Sequence, residues 1–304
     1  MAIAVAKKLF EMFVIILVGV AAFRFRLLDA RSSRSLSSLL MMIISPCLIF
    51  DSYQIEFRQE LLSGLLYAAG AAALTYVVSI ALSEGMISRK KKDSEIEKIA
   101  VVYSNCGFIG LPLINGILGA EGVFYMTAYI TVFNLLIWTH GLAVMGAGGN
   151  LRMLLRNLCT PAIIAILTGM VCFLLRLRVP EVLGTPIQMI GNMNTPVAMI
   201  VAGANLAQSD IFKSLKNPRV YYIAFLKLVL LPLASLAVLA LLPLKFEVLF
   251  TIFIAVACPT GAMGIMFAER YEKNARYATE LFLITTVLSV LTIPLLSAAA
   301  GWLL

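Results

Sequence analysis

Ten apolar stretches divide this chain, at about 9–27, 35–55, 61–86, 96–118, 122–147, 158–176, 183–207, 219–242, 246–268 and 277–303. Each is close to the roughly 20 residues that carry a helix across about 30 Å of hydrocarbon. With 61% hydrophobic and only 13% charged residues among 304, the chain lacks the polar surface that a water-soluble fold of this length needs. It reads as an all-α polytopic membrane protein. Lys7 and Lys8 ahead of an apolar run imitate a signal peptide, but the run ends in Phe23-Arg24-Phe25-Arg26 with no small-residue cleavage site, so it counts as the first span.

The net charge of +8 suggests anionic partners at first sight, but in such a chain it marks cytoplasmic loops, and no nucleic acid is expected. Seventeen Lys and Arg collect on one side: Arg24, Arg26, Arg31, Arg34, Arg89, Lys90, Lys91, Lys92, Lys98, Arg152, Arg156, Lys213, Lys216, Arg219, Arg270, Lys273 and Arg276. Six lie on the other: Lys7, Lys8, Arg58, Arg176, Arg178 and Lys245. That bias puts the first side in the cytoplasm and both termini outside a cytoplasmic membrane. Five dispersed cysteines without C-x-x-C spacing and a single His offer neither a zinc site nor a disulfide framework, so no metal or cofactor is expected.

Five spans lie on each side of a short connection, giving halves at 1–147 and 158–304 joined by a linker at 148–157. An odd number of spans per half forces the halves to enter the membrane with opposite polarity. A shift of 152 places Cys106 on Cys258, Gly110 on Ala262, Tyr125 on Tyr277 and Thr127 on Thr279, and a shift of 150 places Pro46 on Pro196. Those matches join spans 4 and 9, 5 and 10, and 2 and 7, as an inverted five-plus-five repeat requires.

Two spans carry residues that weaken a helix in mid-course. The fourth contains Ser-Asn-Cys-Gly-Phe-Ile-Gly-Leu-Pro-Leu-Ile-Asn-Gly from Ser104 to Gly116, and the ninth contains Ala257-Cys258-Pro259-Thr260-Gly261-Ala262. Proline removes a donor and collides with the carbonyl four residues back, so each span is expected to be two half-helices, the second ones starting near Pro112 and Gly264. Unpaired backbone at that depth is tolerated only against protein or a water-filled cavity. Interruptions at corresponding positions of two repeats point to a transporter's binding site. Helix N-termini attract anions, and Asn105, Asn115, Asn134, Thr260 and Thr195 could add neutral hydrogen bonds to a carboxylate or could simply bridge helices. Ser45-Pro46-Cys47 and Asn192-Met193-Asn194-Thr195-Pro196 in spans 2 and 7 are further candidates. Among ionisable residues inside spans, Lys227 in the eighth either snorkels to the interface or supplies a fixed charge where ion-coupled carriers hold a cation. Glu280 and His140 are weaker candidates for a proton relay.

The segments SNCGFIGLPLI, NTPVAMIVAGANLA (194–207), ACPTGAMGIMFAERY (257–271) and LITTVLSVLTIPL (283–295) together resemble the auxin efflux carrier family, which includes bacterial malonate and malate carriers and the plant PIN auxin transporters. The likeness covers essentially the whole chain. It implies a fold similar to that of bile acid sodium symporters, with a scaffold from spans 1, 2, 6 and 7 and a core from spans 3–5 and 8–10. Spans 4 and 9 would cross at their broken centres, and an elevator motion would carry substrate between core and scaffold. By that resemblance the crossover prolines are Pro112 and Pro259, the motif asparagine is Asn105, Asn134 lies near the crossing, and Ser45 and Thr195 approach substrate from the scaffold. The plant members have a long cytoplasmic loop between the halves, which is absent here, so plant-type auxin specificity is in doubt.

The chain therefore reads as a carrier exporting a small organic anion through the lipid bilayer, not an enzyme. No G-x-x-x-x-G-K loop, H-E-x-x-H motif or paired Asp is present. Proton- or sodium-coupled uptake is the nearest alternative, and no carboxylate stands within a turn of Pro112 or Pro259 to favour sodium. A channel or structural membrane protein is the alternative of another class. The sequence leaves open whether the scaffold face forms a homodimer.

Overall fold

The computed structural model describes residues 2–146, 159–208 and 217–303; the linker expected at 148–157 lies outside the described residues, as do Arg152, Arg156, Lys213 and Lys216. Among the described residues the structure is helical throughout, apart from one isolated antiparallel bridge between Ser104 and Thr260. In chain order the helices are α1 (Ala2–Arg24), α2 (Ala30–Ser52), α3 (Gln59–Met86) and α4 (Ser94–Val102). A stretch from Cys106 to Val144 follows, 39 residues long, which as one helix would measure about 58 Å. Gly119, with φ 62° and ψ −148°, turns the chain there and divides the stretch into α5 (106–118) and α6 (120–144). The remainder are α7 (Pro161–Leu174), α8 (Glu181–Asn192), α9 (Asn194–Ala207), α10 (Pro218–Leu239), α11 (Phe246–Ala257), α12 (Met263–Arg270) and α13 (Ala275–Leu303).

Among the described residues, five stretches are by length and composition apolar enough to cross a membrane: Ala30–Ser52, Gln59–Met86, Cys106–Val144, Pro218–Leu239 and Ala275–Ala300. The protein is thus a polytopic membrane protein. Outside the apolar segments, Asp29 caps α2 by accepting the Ser32 backbone N–H at 2.6 Å, which holds its carboxyl below the usual carboxylate range.

Among the described residues, the widened π turns at Leu40–Ile44, Cys106–Gly110 and Leu226–Leu230 are each closed by an N–H bonding five residues back. Each is followed directly by an X-Pro pair: Ser45-Pro46, Leu111-Pro112 and Leu231-Pro232. The physical link is direct. A proline inside an α-helix offers no N–H to the carbonyl four back and strikes it with its ring, and an extra residue in the preceding turn moves that carbonyl aside. A fourth π turn, Ile137–Gly141, has no proline after it, and we have no physical account of it.

Close packing rests on small residues, as it does where lipid supplies no hydrophobic drive between helices. A Cβ on Gly19 of α1 would strike Ile200 O of α9, and one on Gly203 of α9 would strike Ile16 O of α1, so the two backbones touch at this crossing. Gly191 lets α8 approach α2 in the same way, its absent Cβ standing 3.0 Å from Leu48 Cα. Away from this group, Glu97 of α4 is 2% exposed and takes a two-pronged bond from Arg219 of α10, Nε to Oε1 at 2.8 Å and Nη2 to Oε2 at 2.6 Å. The Tyr277 hydroxyl of α13 donates to the same carboxylate at 2.9 Å. This buried carboxylate, bonded at both oxygens, ties the start of α4 to the starts of α10 and α13.

Candidate functional site

Helix α4 ends at Val102 and α11 ends at Ala257, and the extended residues that follow each meet one another. Asn105 N–H donates to Pro259 O at 2.7 Å, and Gly261 N–H donates to Tyr103 O at 2.9 Å, which makes a two-rung antiparallel ladder deep in the protein. Each break thus satisfies the other's backbone, which neither could do in hydrocarbon alone. Gly261 eases the approach: a Cβ there would stand 3.2 Å from Ser104 O and 3.3 Å from Tyr103 O, so the facing backbone would have to give by a few tenths of an ångström.

The helix ends around this ladder are closed residue by residue. At the end of α4, Ala100 O accepts the Thr260 hydroxyl at 2.9 Å, while Thr260 N–H donates to the Thr285 hydroxyl of α13 at 3.2 Å. At the end of α11, Val256 O accepts the Ser104 hydroxyl at 3.3 Å. Lys227, set in the π turn of α10 and 0% exposed, donates to Ser104 Oγ at 2.6 Å and to Val256 O at 3.4 Å. Among the described residues no carboxylate pairs with it. The nearest negative charge that it is bonded to is the C-terminus of α11, worth about half a negative charge, through Val256 O. The opposite ends, the first N–H groups of α5 and α12, carry about half a positive charge each.

On that open side the Asn105 side chain makes no hydrogen bond to another described residue, and beside Gly107 nothing lies within 4 Å of where a Cβ would be. Cys258 Sγ packs against Gly110, so Cys106, Gly110 and Cys258 gather around the crossing.

The structure corrects the expected role of Pro112. The fourth span breaks at residues 103–105, and the half-helix that follows starts at Cys106, so Pro112 stands inside α5 just after its π turn. Its effect is the π turn, not the break. Pro259 and Thr260, by contrast, lie in the second break itself, and the following half-helix starts at Met263. Asn105 is at the crossing. Asn115 is half-buried nearly three turns further along α5, and Asn134 spends its amide on Ile130 O of its own helix at 2.8 Å. Ser45 accepts the Asn194 amide at 2.8 Å, joining α2 to the start of α9 beside Thr195; Asn194 Oδ1 is buried without a partner among the described residues. Lys227 does not snorkel; it is fully enclosed. Glu280 pairs with Arg276 of its own helix at 3.2 Å, whereas His140 Nδ1 lies 2.9 Å from the Tyr103 hydroxyl, so no hydrogen bond joins Glu280 to His140.

Sequence reasoning passed over Ser104, whose hydroxyl links Lys227 to α11, and Tyr76, Tyr103 and Tyr129, whose rings line the crossing's inner side at centroid separations of 5.1 and 6.0 Å. Polar tyrosines in apolar spans were the available signal. The described residues contain no cluster of ligating side chains able to hold a metal ion. A cavity of about 320 Å³ opens between the ends of α2 and α7, lined by Tyr53, Phe57, Phe173 and Arg176, and includes none of the crossing residues.

Apolar helices long enough to cross a bilayer, with two interrupted segments paired backbone to backbone at their breaks, define a class: polytopic membrane transport proteins. The family model described as "Membrane transport protein" matches residues 4–151 and 149–297, and the chain belongs to this family, that of the auxin efflux carriers its motifs resemble. An uncharacterised transporter of Methanothermobacter thermautotrophicus is 24% identical over 301 residues, covering 96% of this chain and 97% of that protein. The uncharacterised transporter YfdV of Escherichia coli K12 is 28% identical over 199 residues, 62% of each chain.

Proposed function

We propose that the protein is a secondary carrier that exports a small organic anion across the cytoplasmic membrane by elevator-type alternating access. In this reading ten crossings form two inverted five-span repeats with both termini outside. Helices α1, α2 and α7–α9 are the scaffold, and α3–α6 with α10–α13 are the moving core. The observation that carries it is the polarity of the crossing. Lys227 is bonded to Val256 O at the C-terminus of α11 and to Ser104 just after α4, and the N-termini of α5 and α12, about half a positive charge each, are then the ends left for an anionic ligand. Asn105 supplies a neutral amide there, and Thr260 and Pro259 hold the partner strand in register.

An inside-negative potential favours outward movement of an anion by about 2.3 kcal/mol per charge per 100 mV, so export requires no nucleotide. Proteoliposome flux tests the proposal: saturable, counterflow-competent movement of a labelled carboxylate is expected, with Asn105→Ala lowering its rate. Flux that never saturates would indicate a pore instead. A second reading, proton-coupled transport, is favoured by Lys227 being a buried amine without a carboxylate partner among the described residues. An imposed pH gradient that drives uphill carboxylate movement would establish that coupling.

A further inference from the structure

The cavity of about 320 Å³ lies apart from the crossing, where α2 gives way to the turn at 53–58 and α7 to the turn at 175–180. Both turns end apolar helices, which puts the cavity at headgroup depth in a bilayer. Three charged side chains line it: Glu56, Arg176 and Arg178. Among the described residues none of the three forms an ion pair, although their signs are opposite. The cavity holds the two signs apart.

Both arginines are held in position. Arg178 Nη1 donates to Gln54 O at 2.8 Å and Val179 N–H donates to Gln54 Oε1 at 3.0 Å, which joins the two turns. Arg176 Cζ stands 4.9 Å from the centroid of the Phe57 ring, and that ring packs on Phe173 at 5.1 Å. Helix α7 ends in a Schellman turn, Leu177 N–H donating to Cys172 O at 2.8 Å and Arg176 N–H to Phe173 O at 3.2 Å, with Arg176 at φ 56°. Glycine takes that conformation without strain, so the turn by itself gives no reason for an arginine there.

Two unpaired cations and one unpaired anion around one cavity suit a ligand that carries both charges. A phosphate fits the arginines, whose N–H forks match its oxygens, and a primary ammonium can donate to the Glu56 carboxylate. A purely anionic ligand would be repelled by Glu56, and a trimethylated ammonium has no N–H to give it. Leu167, Val171 and Leu174 of α7, at positions i, i+4 and i+7, are exposed and form an apolar stripe that ends next to Arg176.

We propose that this cavity binds the headgroup of phosphatidylethanolamine, with the phosphate on Arg176 and Arg178, the ammonium on Glu56 and the acyl chains along α7. The site also touches the contact between α2 and α6. Tyr53 lines the cavity, and its hydroxyl shares a 2.6 Å hydrogen bond with Thr127 Oγ1 of α6, so a lipid seated there braces one against the other.

Native mass spectrometry of the purified full chain tests the assignment, with phosphatidylethanolamine, phosphatidylcholine and phosphatidylglycerol of matched acyl chains offered at equal concentration. Phosphatidylethanolamine is expected to be retained about tenfold better than phosphatidylcholine, the effect of one hydrogen bond to a charged group. Glu56→Ala should abolish that preference and leave phosphatidylcholine retention unchanged. Arg176→Ala, which keeps the Arg178 bond to Gln54, should lower retention of phosphatidylethanolamine and phosphatidylglycerol alike. Equal retention of the three lipids, or a preference for phosphatidylethanolamine that survives Glu56→Ala, overturns the proposal. Free phosphoethanolamine that displaces the lipid at equal concentration overturns the lipid as occupant. None of these outcomes depends on what the protein carries.

Discussion

The two interruptions reach the same crossing by different local means. The break at 258–262 contains both Pro259 and Gly261, and its chain is extended from Cys258, where ψ is 148°. The break at 103–105 contains no proline or glycine at all: Tyr103, Ser104 and Asn105 are residues that any helix tolerates. What opens it is the partner. Pro259 O and Gly261 N–H offer the first break two backbone bonds, and Thr260 and Lys227 take up the carbonyls and hydroxyl that the opening exposes. One break is encoded in its own residues; the other is imposed by the first.

The largest test of that asymmetry is Lys227→Met, which nearly keeps the volume and removes the donor shared by Ser104 Oγ and Val256 O. A loss of roughly 1.5–3 kcal/mol is expected, as for buried acceptors deprived of a charged donor, with flux falling in parallel; unchanged melting and flux would show that the end of α11 and Ser104 need no cation. Next, Gly261→Val should cost on the order of 1–3 kcal/mol because its side chain meets Ser104 O and Tyr103 O. Gly107→Ala, across from open space, should leave the melting temperature near its original value. Pro259→Ala adds a buried N–H with no acceptor prepared for it, at about 1–2 kcal/mol, whereas Pro112→Ala relaxes a π turn outside the break and should be neutral or slightly stabilising; equal effects would contradict the placement of the breaks. Smallest, Thr260→Val removes one hydroxyl bond to Ala100 O and should cost about 1 kcal/mol by thermal melt.

Much of this was legible from residues alone. Hydropathy is a sum over neighbours in sequence, so the apolar stretches, the interruption at Pro259 and the interest of Asn105 could be read directly. Pro112 misled because a proline marks a disturbance without saying of which kind: here it produces the π turn at 106–110 while the break lies upstream. Ser104 gave no local sign of its role, since both of its partners, Lys227 and Val256, are more than 120 residues away. Lys227 carried a sign, a charge inside an apolar span, but enclosure and snorkelling differ by side-chain direction, which the π turn at Leu226–Leu230 decides.

By itself, then, the sequence determined that this chain is a membrane protein with two weakened spans at related positions, because the cost of polar groups in hydrocarbon acts on each segment separately. The tertiary structure alone decided where those spans open, which backbone atoms they exchange, and that Lys227 bridges the end of α11 to Ser104. A hydrogen bond needs its partner within about 3 Å, and folding supplied partners from across the chain.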